Sequence, residues 1–205
     1  MWLQKFFNWL LKLSPPKLGQ GNTIGKTFDF IDTANSKQWD HLIIHHSATV
    51  DGDVHDFDAI KKYHMSWRYQ GNIISEKKAK ELLAKGTKGV QEPWIDIGYN
   101  FLIEKTFGKY AYKIGRKLSL SGAHTLSYNN KAIGICCVGS FDKNPPNDVQ
   151  WKMTLALTKE LMKRYNIIAV NVLGHRETYK MLGLPQAKTC PGEKFSMEKF
   201  RSELV

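Results

Sequence analysis

Acidic residues, cysteines and long apolar runs are all scarce in this sequence. Asp and Glu number 19 against 30 Lys and Arg, so the 205 residues carry a formal net charge of +11. A basic excess of this size points to an anionic partner: nucleic acid, an anionic membrane or an anionic wall polymer. Charge alone does not choose among them. Three cysteines exclude a disulfide-dense scaffold. Two of them, Cys136 and Cys137, are adjacent in the apolar run IGICCVGSF, where a mutual disulfide is strained. They read as buried small hydrophobes. Cys190, in KTCPG, is left needing its own explanation. No apolar stretch reaches the roughly 18–20 residues of a membrane-spanning helix. There is no internal repeat, and 7 Pro and 16 Gly exclude collagen-like and low-complexity classes. What is present is a hydrophobic fraction of 42% with 12% aromatics, enough for a packed core. The length suits one domain with some decoration.

The first residues, MWLQKFFNWLLKLSPP, place Trp2, Leu3, Phe6, Phe7, Trp9, Leu10, Leu11 and Leu13 on a wide helical face closed by Pro15 and Pro16. Asn8 and Lys12 interrupt the run and no small-residue cleavage site follows, so a secretory signal is not expected. The helix either docks on its own domain or meets a membrane or partner. Residues 17–40 read as a polar connector. The expected organisation is therefore an amphipathic helix and connector over 1–39, then one domain over 40–205.

Within that domain, HLIIHHSATV has a buried-strand core ending in histidines. FDAIKKYHMSWRY, residues 57–69, has helical apolar spacing, with His64 on the apolar side as a core histidine. SEKKAKELLAKG reads as a charged surface helix stopped by Gly86, and its Gly- and Lys-rich flanks make about 70–93 a surface insertion. IDIGYNFLIEK and KYAYKIGR pair as a hairpin with Gly108 in the turn. AIGICCVGSF is apolar throughout, as a central strand is. VQWKMTLALTKELMKRY repeats Val149, Met153, Leu157, Leu161 and Tyr165 near period four and predicts the best helix. NIIAVNVLGH predicts another buried strand, and SMEKFRSEL a final helix capped by Ser196. The order β-α-(insertion)-β-β-β-α-β-α gives an α/β domain: a single mixed central sheet flanked by helices.

Two strands end in histidine, His45 and His175, and strand ends are where open sheets place functional side chains. With Cys190 they make two imidazoles and one sulfur, a donor set for a borderline-soft ion such as zinc. Three protein ligands leave a fourth position for water, whose pKa zinc lowers to ~7. Seven histidines in one chain also offer such pairs by chance, and a strand-end histidine is often structural. A thiol hydrolase using Cys190 and His175 is a further chemical option.

IIHHSAT, WIDIGYNFLIEK, SGAHT followed by AIGICCVG, LGHRE and KTCPG occur in that order. Together they resemble the zinc-dependent N-acetylmuramoyl-L-alanine amidases of amidase type 2, a family that includes phage lysozyme-type endolysins and animal peptidoglycan recognition proteins. The resemblance spans roughly residues 40 to 192. It implies one zinc ion held by His45, His175 and Cys190. Alternation sends His46 to the opposite side of the strand from His45, where it reads as structural or supporting. The resemblance implies that Tyr99 is the catalytic tyrosine, binding water or oxyanion, and that Lys188 stabilises the oxyanion. It places His124 in the substrate groove, with Thr125 and Asn130 as further substrate contacts. The implied activity is hydrolysis of the bond between N-acetylmuramic acid and L-alanine of peptidoglycan.

Three departures from the family's compact pattern stand out: residues 1–39, the segment 70–93, and a long loop between His175 and Cys190. A binding module without catalysis on the same fold is the alternative. A nucleic-acid partner is not expected, since the sequence has no recognition signature for one. The expected partners are peptidoglycan and an anionic envelope or membrane surface, met by a monomer. The protein is expected to be made in the cytoplasm of a phage-infected host and to act at the bacterial wall.

Overall fold

The computed structural model describes residues 28–34, 36–49 and 56–205. The amphipathic segment expected over residues 1–16 lies outside them. Strand β1 is His41–His46, followed by helix α1, Asp56–His64. A small hairpin, β2 at Arg68–Tyr69 and β3 at Asn72–Ile73, leads to α2, Glu76–Ala84. Then come β4, Phe101–Thr106, β5, Lys109–Ile114, and β6, Ala132–Cys137. Helix α3 is Asp148–Tyr165 and β7 is Val172–Gly174. Two short helices close the chain, α4 at His175–Met181 and α5 at Met197–Ser202.

Five strands form one sheet in the order β5-β4-β6-β1-β7. Only the β4–β5 pair is antiparallel; β4–β6, β6–β1 and β1–β7 are parallel. This is the mixed, helix-flanked sheet expected. The central strands are buried on both faces, which is why β6 carries no polar side chain. The edge strand β5 carries Lys109 and Lys113, charges that discourage pairing with another chain. The β4–β5 turn is Phe107-Gly108, both at positive φ (50° and 76°), as a two-residue hairpin turn needs. Among the described residues no helix is long and apolar enough to cross a membrane.

Alternation along β1 sorts its side chains. Leu42 and Ile44 join the main core under α3, while Ile43 packs on the opposite face with Tyr128, Ala132 and Leu173. His45 follows Ile43 onto that second face. His46 turns to the first, where its Nδ1 accepts from the Phe141 amide at 3.1 Å.

Four expectations change. Residues 28–39 are more than a polar connector: Phe28, Ile31 and Trp39 are buried in the main core. Arg164 ties this segment down by donating to the Ile31 and Phe28 carbonyls at 3.0 and 3.1 Å. Helix α1 ends at His64, earlier than its apolar spacing implied, because Arg68 leaves to pair with Gln91 and Ile73. The buried face of α3 is rotated from the apolar repeat: Gln150, Thr154 and Thr158 are buried while Val149 is 55% exposed. Those polar groups are satisfied by backbone carbonyls. Gln150 donates to Val138 at 2.8 Å, and the two threonines donate one turn back along the helix. Finally, NIIAVNVLGH pairs only over Val172–Gly174, and Ile168 and Val170 are 61% and 67% exposed.

Candidate metal centre and groove

The parallel strands β1, β6 and β7 end together, and the groove opens where their carboxyl ends meet. This is the usual location for ligands on open α/β sheets. The cavity is about 730 Å³ and runs from the Cys190 loop across His45 to Tyr63 and Trp94.

His45 is the penultimate residue of β1, opposite Cys136 of β6. His175 opens α4 directly after β7 rather than ending a longer strand. A helix starts there because the Glu177 carboxylate accepts from the Gly174 amide at 2.7 Å and caps the first turn. Glu177 is itself held by Arg201 at 2.7 and 2.8 Å.

Cys190 comes from a loop with no regular structure, which Arg176 organises. Its guanidinium donates to the carbonyls of Thr189, Gly192 and Phe195 at 3.0, 2.6 and 2.8 Å. Its amide donates to the Cys190 carbonyl at 2.7 Å. One side chain thus fastens the loop to the helix that carries His175. The Cys190 sulfur then accepts from the His46 amide at 3.4 Å.

His45, His175 and Cys190 each offer one donor atom, and the three atoms lie within 4.8 Å of one another in a buried cluster. The His45 Nδ1 to Cys190 Sγ distance is 3.5 Å. Tetrahedral zinc with its usual bond lengths holds nitrogen and sulfur ligands roughly 3.3–3.6 Å apart, so this pair is already at ligand spacing. Burial, with the charges of His124, His175 and Lys188 adding to it, holds the His45 pKa well below the usual histidine range. Burial and Lys188 lower His175 to about 4. Both rings are therefore neutral at pH 7 and keep a lone pair. Burial pushes the Cys190 thiol up to about 12, partly opposed by the His46 amide and the Lys188 and Arg176 charges. Two neutral imidazoles and one sulfur match the donor set of zinc.

Tyr99 lies just before β4, its ring 5.1 Å from that of His45. Burial first, then the Cys136 and Cys190 thiols, raise its pKa well above the ordinary phenol value. It is an O–H donor at neutral pH. Lys188 is exposed on the loop and lines the groove two residues before Cys190.

The three residues assigned to substrate are placed differently from one another. His124 reaches the groove, but its ring lies against His45, with Nδ1 3.1 Å from His45 Nε2. Thr125 is buried, and its hydroxyl lies 3.0 Å from His124 Nδ1 and 3.3 Å from His45 Nε2. Its hydroxyl faces these ring nitrogens, and Thr125 is not among the residues lining the groove. Asn130 is exposed and does not line the groove. Its neighbour Asn129 shapes this loop, its side-chain oxygen accepting from the His124 and Thr125 amides at 2.7 and 2.8 Å.

Sequence reasoning missed the opposite wall. His64, read as a core histidine, is half-buried at the groove edge, where its Nδ1 accepts from the Gly98 amide at 3.1 Å. The Trp94 ring lies tilted beside it, with centroids 4.6 Å apart. The Arg68 guanidinium lies between the Tyr63 and Trp94 rings, 5.2 and 4.6 Å from their centroids. The dense aromatic and basic run YHMSWRY was the available signal.

The chain matches the family model described as N-acetylmuramoyl-L-alanine amidase over residues 35–193. It is 33% identical over 100 residues to peptidoglycan-recognition protein SC2 of Drosophila melanogaster, a span that is 48% of this chain and 49% of that protein. It is 36% identical over 77 residues to the 1,6-anhydro-N-acetylmuramyl-L-alanine amidase AmpD of Enterobacter cloacae, 38% of each chain. The chain thus spans about half, or less, of the length of these curated relatives. Its fold is similar to N-acetylmuramoyl-L-alanine amidase LysC of Clostridium intestinale, with TM-score 0.50 and 22% identity over 83% of this chain and 87% of that one. The same holds for bumblebee PGRP-SA, with TM-score 0.54 and 24% identity over 78% and 80%. Since the family model runs from the segment before β1 to the end of the Cys190 loop, the chain belongs to the N-acetylmuramoyl-L-alanine amidase family.

Proposed function

We propose that the protein is a zinc-dependent hydrolase that cuts the amide between N-acetylmuramic acid and L-alanine in peptidoglycan, and that it serves a phage as an endolysin. The convergence of His45, His175 and Cys190 on the floor of an open groove carries this reading. These three residues would hold the ion, which when bound supplies Lewis acidity and brings the pKa of water to ~7.

The chain's own residues do the rest. The neutral Tyr99 phenol is a donor to the oxyanion that develops on the scissile carbonyl. The Lys188 ammonium, on the groove wall, favours the same developing charge. Cys190 is committed as a ligand, so no acyl-enzyme forms on it. His64, Trp94 and Gln91 wall the groove and take the substrate contacts that the resemblance had given to Thr125 and Asn130.

The net charge of +11 concentrates the protein on anionic wall or envelope polymers, an attraction that weakens with salt. The apolar face of residues 1–13 is the candidate for contact with an envelope surface, and the site of action is the bacterial cell wall. The relatives named for peptidoglycan recognition favour a second reading, a binding module that does not cut. Mass spectrometry of purified peptidoglycan digested with zinc-loaded protein separates them. Stem peptides with a free L-alanine amine support the amidase. An intact wall supports the binding module, and new reducing sugar ends refute both.

A further inference from the structure

One contact in the site has no part in the chemistry above. His45 uses Nδ1 toward Cys190, and its other nitrogen, Nε2, faces His124.

The proton positions follow from the partners. His124 Nε2 lies 3.3 Å from the Ala132 carbonyl, which can only accept, so His124 carries its proton on Nε2. Its Nδ1 is then a lone pair, 3.1 Å from His45 Nε2. A lone pair on His45 Nε2 would face that lone pair. A proton there instead donates to His124 Nδ1, with the Thr125 hydroxyl a second acceptor at 3.3 Å. His45 Nδ1 is then left bare, 3.5 Å from the Cys190 sulfur. The hydrogen bonds run in one sense: His45 donates to His124, and His124 donates to the Ala132 carbonyl of β6.

The bed of the His124 ring is built for it. A Cβ at Gly122 would lie 2.4 Å from the ring, and one at Gly134 in β6 would lie 2.6 Å from it. Asn129 clamps the backbone on either side of the His124–Thr125 peptide.

We propose that His124 is a positioning residue: it fixes the proton of His45 on Nε2 and so aims the Nδ1 lone pair at the site shared with His175 and Cys190. Its value to the protein rests on the reading of those three residues as metal ligands. A ligand histidine held by a partner on its other nitrogen is oriented and made a better donor, and losing such a partner costs roughly 10–100-fold in metal affinity.

The test has two readouts. Long-range proton–nitrogen correlation spectra of histidine-labelled, metal-free wild-type protein report each tautomer directly. The expected result is Nε2–H on both His45 and His124; Nδ1–H on His45 overturns the proposal. Zinc affinity, by competition with a chromophoric chelator, is then compared across wild type, His124→Phe and His124→Asn. Phenylalanine fills the ring bed without an acceptor and should weaken zinc roughly 10–100-fold. The asparagine amide oxygen replaces Nδ1 and should recover most of that loss. Equal affinity in all three, or a His124→Phe protein that melts earlier with the His45 tautomer unchanged, overturns it. If His124→Phe does not fold, the wild-type spectrum and His124→Asn decide. A wild-type protein with Nε2–H on His45 that takes up no zinc sinks the amidase reading and leaves the tautomer assignment standing.

Discussion

His45 and Cys190 are 145 residues apart in the chain, yet His45 Nδ1 and the Cys190 sulfur lie 3.5 Å from each other. Neither is held by chance. The first is placed near the end of a strand buried from Leu42 to His46, the second by a loop that Arg176 fastens to α4.

Arg176 is accordingly predicted to matter for both stability and metal. Arg176→Ala removes three guanidinium bonds to carbonyls of the Cys190 loop and should destabilise the protein by about 3 kcal/mol in urea unfolding. Zinc affinity should fall with it. Unaltered zinc affinity would mean that the loop holds Cys190 without this clamp.

Tyr99→Phe should keep zinc and lower kcat about a hundredfold with little change in KM, as expected for a donor used in the transition state. Steady-state rates on a soluble muramyl peptide measure this. Unchanged turnover removes Tyr99 from the mechanism.

Lys188→Ala should also keep zinc and lower kcat, by about tenfold given its exposed position. Lys188→Arg should recover part of the loss. A drop confined to KM would assign Lys188 to substrate binding instead.

Acid should destabilise the metal-free protein through its buried histidines. Burial lowers His64 from 6.5 to about 4 and His124 to about 3. Below pH 6.5 the unfolded chain binds protons that the folded chain refuses. The stability is therefore complete above pH 6.5 and is lost as pH falls toward those lower values. Urea midpoints at a series of pH values should decline over this range, and His64→Gln should flatten the slope. A flat profile in the wild type would contradict the burial of these rings.

Much of this was legible in the residues themselves. β6 and the Leu42–Ile44 run of β1 announced themselves because a strand buried on both faces is apolar there, and His45 is the residue that follows that run. The buried face of α3 was not legible, because Gln150 and the two threonines are buried on backbone bonds that only the folded sheet supplies. The start of α4 was missed for a similar reason: Glu177 caps it, but apolar spacing carries no trace of a capping carboxylate. Asn129 and Asn130 are adjacent and chemically identical, and only the loop conformation shows which one turns inward. Residues 28–39 looked polar on average, while Phe28, Ile31 and Trp39 supply their core contacts one at a time.

The most direct measurement is zinc content per chain, after metal-free purification and re-loading, in wild type and in Cys190→Ala. The account predicts one zinc in the wild type and its loss, together with hydrolysis, in the variant. A wild type that binds none, or a Cys190→Ala protein that binds zinc as tightly as the parent, would contradict it.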